Sequence, residues 1–134
     1  MRLLPLTLVL VAGAWSAGSA GLLSSQQPGL KRTVLQRSDD PAAPTHEIVQ
    51  AIAEFPPGAS SGWHRHPGIE VAYVLEGTIV MQMPGHPDTT LVAGNSMLNV
   101  GAHSARNAGT GIARVLATYV VEKGKPLAEP VPAP

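Results

Sequence analysis

The chain has 134 residues, nine basic and nine acidic side chains, and a hydrophobic content of 44%. This composition is typical of one small globular domain and excludes a disordered chain, and it offers no basic surface for a nucleic-acid partner. Because there is no cysteine, disulfides, thiolate metal sites and thiol nucleophiles are excluded, so any metal or catalytic chemistry must use nitrogen and oxygen.

The first twenty residues have the pattern of a secretory signal peptide. Arg2 precedes an apolar run from Leu3 to Trp15, and small residues complete the segment. The run is shorter than the roughly 20 residues needed to span a bilayer and contains Pro5, which favours a cleaved signal over a membrane anchor. We therefore predict a signal peptide over 1–20 and an exported protein, periplasmic or secreted, with no membrane partner after cleavage.

Two segments of the remaining chain are rich in turn-forming residues. Residues 21–44 include SSQQPG and SDDPAAP, which predict a surface arm rather than a helix. Residues 122–134 hold four of the thirteen prolines. That density favours an extended, polyproline-like C-terminal tail with no core of its own.

Between these segments, residues 45–121 have the pattern of an all-β domain. Short runs rich in Val, Ile and Thr alternate with turn signals such as PPG, HPG, PGHPD and NAGTG, and no stretch shows a helical period. Strands are predicted over 47–55, 62–66, 70–75, 78–83, 89–92, 96–100, 103–107 and 112–121. We expect them to close into a barrel or two-sheet jelly roll, since an open sheet would leave unpaired edges and too small a core.

Two of the five histidines stand one residue apart in the stretch GWHRHPGIE. Successive side chains of a strand point to opposite faces, so His64 and His66 project to one face, and Trp63 and Arg65 to the other. HPG then turns the chain, and Glu70 opens the next strand. Two imidazoles and a carboxylate at one hairpin form most of a divalent-metal site, whose affinity should fall as the pH drops through the histidine range.

A longer pattern surrounds these side chains. Gly58, His64, His66, Glu70 and Gly77 follow the order Gly, five residues, His-x-His, three residues, Glu, six residues, Gly. This stretch resembles the first motif of the cupin superfamily. The resemblance implies a cupin-type jelly-roll barrel that holds one divalent ion through three histidines and one glutamate, with open positions for water, substrate or dioxygen.

The second cupin motif is Gly, five residues, Pro-x-Gly, two residues, His, three residues, Asn. The stretch GNSMLNVGAHSARN matches it at Gly94, His103 and Asn107, but lacks Pro-x-Gly and is two residues short between Gly94 and His103. An even-numbered deletion keeps His103 on the same face of a strand. Asn107 is expected to support a turn or the ligands. The predicted metal ligands are His64, His66, Glu70 and His103.

Other side chains are weaker candidates for the site. His46 precedes the first predicted strand and His86 lies in a turn, so both are expected to be exposed. Arg106 and Arg114 could hold a substrate carboxylate, although strand parity directs Arg106 outward. The methionines between positions 81 and 97 are more typical of core filling than of a copper site.

Nitrogen and oxygen ligands suit divalent Fe, Mn, Ni, Zn or Cu, and the residues do not choose among these metals. The resemblance implies a metal-dependent enzyme on a small molecule, most simply a dioxygenase-like oxidoreductase, with isomerase or decarboxylase chemistry also found among relatives. The alternative is a non-enzymatic module that binds a metal or small ligand for sensing or storage. A purely structural barrel would leave the His and Glu set without purpose. Edge-strand pairing into a homodimer is also expected from the resemblance.

Overall fold

The computed structural model describes residues 29–134, which form ten strands and no helix. The predicted signal peptide and the first part of the predicted arm, residues 21–28, lie outside the described residues. No helix capable of crossing a membrane is found in residues 29–134. The strands are β1 Lys31–Asp39, β2 His46–Phe55, β3 His64–Arg65, β4 Gly68–Glu76, β5 Thr78–Gln82, β6 Thr89–Val92, β7 Ser96–Asn99, β8 Ser104–Asn107, β9 Ala113–Glu122 and β10 Glu129–Pro130.

The strands are arranged as a small antiparallel barrel. A five-stranded sheet has the order β1-β2-β9-β4-β7, a three-stranded sheet has the order β6-β5-β8, and β3 pairs with β10. In β2 and β9, buried residues alternate with half-buried ones, so each strand turns one apolar face inward. The core lies between the two sheets, as the strand pattern predicted, and the all-β jelly-roll class is confirmed.

Strand β1 was not predicted, because it lies in the segment interpreted as a surface arm. It pairs along most of β2, and Lys31 forms an ion pair with Glu54 of β2 at 3.4 Å. All of its residues except Arg32 are exposed. Such a strand lacks the alternation of apolar and polar residues by which a strand is recognised in a sequence.

The C-terminal segment is extended but lies against the barrel. Its residues Glu129 and Pro130 form β10 against β3, and Glu129 forms an ion pair with Arg65 at 3.1 Å. Leu127 packs on the apolar cluster that contains Tyr119. These contacts place the segment over the end of the barrel that carries the paired histidines.

Two glycines allow β4 to approach β9 closely at both of its ends. A Cβ atom on Gly68 would lie 2.1 Å from the carbonyl oxygen of Val120, and one on Gly77 would lie 2.8 Å from the Cα atom of Ala113. Gly77 also has a φ of 80°, which other residues adopt only with strain. The last position of the first motif is therefore a steric requirement of the fold.

Candidate metal centre

The backbone sets His64 and His103 opposite each other. The amide of each donates to the carbonyl oxygen of the other at 2.9 Å, which makes them a hydrogen-bonded antiparallel pair. Directly opposed residues of such a pair point to the same face, and the two imidazole centroids are 4.4 Å apart. His66 lies two residues after His64, so it shares that face, and its ring centroid is 4.9 Å from that of His64.

A second row of side chains crosses the larger sheet. Glu70 of β4 pairs in register with Asn99 of β7 on one side and Tyr119 of β9 on the other, and all three are buried. The amide Nδ2 of Asn99 donates to Oε2 of Glu70 at 2.8 Å. This hydrogen bond holds the carboxylate toward the histidines.

All three histidines are held in the same tautomer. Each Nδ1 faces a backbone carbonyl oxygen, which only accepts hydrogen bonds, so in the neutral ring Nδ1 carries the proton and Nε2 keeps its lone pair. The carbonyl partners are Gly62 for His64 at 2.9 Å, Leu127 for His66 at 2.5 Å and Gly101 for His103 at 2.9 Å.

The free imidazole nitrogens and the carboxylate converge. One ligand atom from each histidine lies within 4.8 Å of those of the other two. Oε2 of Glu70 is 3.3 Å from Nε2 of His66 and 3.2 Å from Nε2 of His103. Two ligands about 2.1 Å from a common ion would be roughly 3.0 to 3.4 Å apart, at angles between octahedral and tetrahedral. The spacing of these atoms therefore fits a shared divalent cation.

The protonation states also suit a cation. Burial lowers the pKa of His64 to about 4, with smaller contributions of the same sign from His103 and His66. Burial opposes ionisation of Glu70, yet the adjacent imidazoles of His103 and His66 hold its pKa well below the usual range. In residues 29–134, Nε2 of His66 is buried without a hydrogen-bond partner. A neutral imidazole beside a carboxylate, with an unpaired buried nitrogen, is a donor set that a metal ion would satisfy.

The structure thus brings together the four residues predicted as ligands. His103 points inward despite the two-residue deletion, as strand parity predicted. Asn107 holds a turn: its Nδ2 donates to the carbonyl oxygens of Phe55 and Gly111, and its Oδ1 accepts from the amide of Gly109. The expectation that Asn107 supports a turn is confirmed.

The other candidates lie away from the cluster. His86 is exposed, as predicted, whereas His46 is half-buried at the start of β2, where its Nδ1 lies 3.0 Å from the hydroxyl of Thr45. Arg106 is exposed. Arg114 forms ion pairs with Glu54 and Glu76 on the outside of the sheet. Neither arginine lines the cavity beside the histidines, so neither serves the carboxylate-binding role considered for it.

Two polar side chains that line this cavity were not predicted from the sequence. The space open to the centre of a water molecule measures about 30 Å³, enough for roughly two waters. His64, Glu70 and His103 line one side, and apolar side chains line most of the rest. Arg32 enters from β1 and Tyr119 from β9. The alternation of side chains along β9 would have predicted that Tyr119 points inward, but no pattern in the sequence indicated that Arg32 does.

Tyr119 is held in its protonated form. Burial raises the pKa of its phenol well above the usual value, and the nearby Glu70 carboxylate adds to this shift, while the Arg32 guanidinium opposes it. The ring of Tyr119 lies 4.7 Å from that of His66, centroid to centroid. The phenol can therefore donate a hydrogen bond beside the cluster at neutral pH.

The small antiparallel barrel identifies the protein as a jelly roll. Its inward histidines and carboxylate form a cluster that could hold a metal ion. The protein-family model described as the cupin domain matches residues 51–119 of this sequence. The chain belongs to the cupin superfamily, and the resemblance seen in the sequence is confirmed.

Similar proteins carry different names. The HTH-type transcriptional regulator PuuR of Escherichia coli is 35% identical over 79 residues, which are 57% of this chain and 42% of that protein, so the chain spans less than half the length of this relative. A structure described as a predicted oxalate decarboxylase from Thermotoga maritima is 28% identical, with a TM-score of 0.58 over 69% of this chain and 80% of that one. An RmlC-like cupin from Shewanella frigidimarina is 26% identical, with a TM-score of 0.57 over 72% and 79%.

Proposed function

We propose that this cupin binds one divalent metal ion through Nε2 of His64, His66 and His103 and the carboxylate of Glu70, and uses it on a small molecule as a metal-dependent, dioxygenase-like oxidoreductase. The observation that carries the proposal is the set of three buried imidazoles, each with its Nδ1 held by a backbone carbonyl. That arrangement presents three lone pairs and one carboxylate to a single point.

A divalent ion bound there would supply Lewis acidity and open positions for small ligands. The chain's own residues supply the rest of the site. Asn99 fixes the carboxylate of Glu70, the protonated phenol of Tyr119 can donate a hydrogen bond to a bound oxygen atom, and the apolar wall limits the entry of water. The relative described as a predicted oxalate decarboxylase supports an enzymatic function.

A non-enzymatic module for sensing or storage is the second candidate. The cavity is small, and Tyr119 is the one clear proton donor beside the predicted ligands among the described residues that line it. The relative named as a transcriptional regulator supports this candidate. Its name is also a reason to test the prediction that this chain has no nucleic-acid partner.

The first experiment measures the metal content of the protein, purified without chelator or an affinity-tag metal, by mass spectrometry. We expect close to one ion per chain in the parent, loss of the ion in His64→Ala and His103→Ala, and retention in His86→Ala, whose side chain is exposed and not part of the cluster. A parent that holds no ion, and takes up none of Fe, Mn, Ni, Zn or Cu on reconstitution, would contradict the proposal.

Turnover then separates the two candidates. The loaded protein is incubated with small organic acids and alcohols, and oxygen consumption and product formation are followed. Product formation that is lost in His64→Ala supports the enzyme. Ligand binding without turnover, measured by calorimetry on the same samples, supports the module.

We also propose that the protein is exported, because residues 1–20 have the pattern of a signal peptide. Expression in a bacterium followed by fractionation tests this. A periplasmic or secreted product whose mass corresponds to residues 21–134 is the expected result, and an unprocessed cytoplasmic product would contradict it.

A further inference from the structure

Arg32 is the one residue of β1 that is not exposed, and its position follows from the strand register. It pairs with Ala53 of β2, whose side chain is buried in the core. Directly opposed residues share a face of the sheet, so Arg32 turns into the barrel while its neighbour Lys31 turns outward to Glu54. Strand β1 therefore delivers a guanidinium group to the wall of the cavity beside His64, Glu70 and His103.

This guanidinium is placed there without an anionic partner. Within residues 29–134 none of the ion pairs involves Arg32, and its Nε atom is buried with no hydrogen-bond partner. An unsatisfied buried donor on a charged group is costly, and native proteins rarely retain one without a ligand or water to complete it. The phenol of Tyr119 lies close to Arg32, but it is a neutral group.

The charge of the cavity indicates which kind of ligand would pair with the Arg32 guanidinium. A divalent ion with the single negative charge of Glu70 leaves a net positive charge, and Arg32 adds another in a wall that is otherwise largely apolar. Positive charge in such a low-dielectric pocket favours a small anion. A planar guanidinium with parallel N–H donors matches a carboxylate, and the space open to the centre of a water molecule, about 30 Å³, favours a small ligand.

We propose that Arg32 is the anion-binding residue of the pocket and that the ligand is a small carboxylate, held by the guanidinium and directed toward the metal centre. This inference deepens the proposed function and rests on it for the role of the metal. The phenol of Tyr119 lies near both the Glu70 carboxylate and Arg32, and it lines the same cavity.

The test is an NMR titration of the ¹⁵N-labelled protein with propionate, and with propionamide as its uncharged analogue, in the metal-free and the zinc-loaded forms. In the parent we expect saturable shifts with propionate and at least roughly tenfold weaker binding of propionamide. Arg32→Gln should weaken propionate binding by a similar factor. Lys31→Gln removes the same charge from the outer face of the same strand and should change the affinity less than about twofold.

The inference is overturned if propionate binds equally well to the parent and to Arg32→Gln, or if propionamide or inorganic phosphate binds as tightly as propionate. A dispersed spectrum of Arg32→Gln shows that the variant is folded. If that variant does not fold, Arg32→Lys is used, because it keeps the positive charge but lacks the planar guanidinium. It should bind propionate with intermediate affinity. An affinity equal to that of the parent would also overturn the inference. Failure to bind zinc would contradict the proposed function, while the metal-free titration still tests Arg32.

Discussion

The Nδ1–H of His66 donates a 2.5 Å hydrogen bond to the carbonyl oxygen of Leu127, 61 residues further along the chain. A backbone group of the proline-rich C-terminal segment thus fixes the orientation of a predicted metal ligand. The amide of Val131 donates to the carbonyl oxygen of Trp63 at 3.0 Å, and β10 pairs with β3 next to His66. The segment is therefore a structural part of the candidate site.

Removal of residues 126–134 should weaken metal binding about 10- to 100-fold, because the loss of a hydrogen bond that orients a ligand has effects of that size. The expected result is a higher dissociation constant for zinc in a competition titration with a chromophoric chelator. Removal of residues 132–134 alone keeps β10 and Leu127 and should leave the constant unchanged. Equal affinity in both truncated proteins would show that the segment does not orient His66.

Sequence reasoning predicted which side chains would cluster, because their placement depends on local geometry. The two-residue period of a strand puts His64 and His66 on one face, and the same period keeps His103 inward after an even-numbered deletion. Side chains that depend on register between distant strands were missed. Asn99 and Tyr119 flank Glu70 only because β7 and β9 pair with β4 in one particular register, which a single sequence does not display.

The remaining misses have physical reasons of another kind. Strand β1 is exposed at every residue except Arg32, and this one inward side chain is charged, so the strand has no hydrophobic periodicity that would predict it. The partner of His66 is a backbone carbonyl, and a backbone acceptor has no signature in the side-chain sequence. Polar strands, and backbone groups that orient a ligand side chain, can therefore be found only in a structure. Amphipathic strands and short ligand motifs can be predicted from the sequence.

Glu70→Gln should lower metal affinity at least roughly tenfold, because it removes the only formal negative charge among the four predicted ligands. The amide keeps the size of the side chain, and its carbonyl oxygen can still accept from Asn99, so the barrel should stay folded. The measurement is the same chelator competition. Glu76→Gln, an exposed change on the same strand, is the control and should have no effect; a metal affinity that is equal in Glu70→Gln and the parent would remove Glu70 from the ligand set.

The metal-free protein should lose stability between about pH 6.5 and pH 4 because of His64. The unfolded histidine has a pKa of about 6.5, whereas burial lowers the pKa of His64 in the folded protein to about 4. As the pH falls through this window the unfolded chain binds the proton first, so the free energy of unfolding falls by up to about 1.4 kcal/mol per pH unit.

Urea denaturation at pH 7.5, 6 and 5 measures this loss, and His64→Gln serves as the reference. The neighbouring groups Glu70, His66, His103 and Tyr119 are present in both proteins, so the difference between the two pH profiles isolates His64. The expected result is a steeper loss in the parent than in the variant. Parallel profiles would contradict the buried, neutral state of His64.

Gly77→Ala should destabilise the barrel by more than about 3 kcal/mol, because the added Cβ atom meets the backbone of Ala113 in a residue that already has a positive φ. Gly94→Ala is the matched control. Its φ is 93°, but no atom lies within 4 Å of the added Cβ, so only the conformational cost of about 1 kcal/mol is expected. Chemical denaturation of both variants gives the two values, and equal losses would mean that the close approach of β4 and β9 is relaxed in solution.

The homodimer predicted from the family resemblance has a candidate interface on the outside of the larger sheet. Val71 of β4 pairs with Leu98 of β7, and they are 47% and 59% exposed. Ile69, Tyr73 and Leu75 extend this apolar face along β4. A continuous exposed patch of this kind on a sheet typically marks a protein contact.

Light scattering after size-exclusion chromatography should give twice the chain mass for the parent and the single chain mass for Val71→Glu, since a charge at the centre of an apolar interface remains unpaired. Val92 on β6 is 48% exposed on the other sheet, so Val92→Glu introduces the same charge at equal exposure and should remain dimeric. A monomeric parent would contradict the prediction. Dissociation by Val92→Glu with a dimeric Val71→Glu would instead place the interface on the three-stranded sheet.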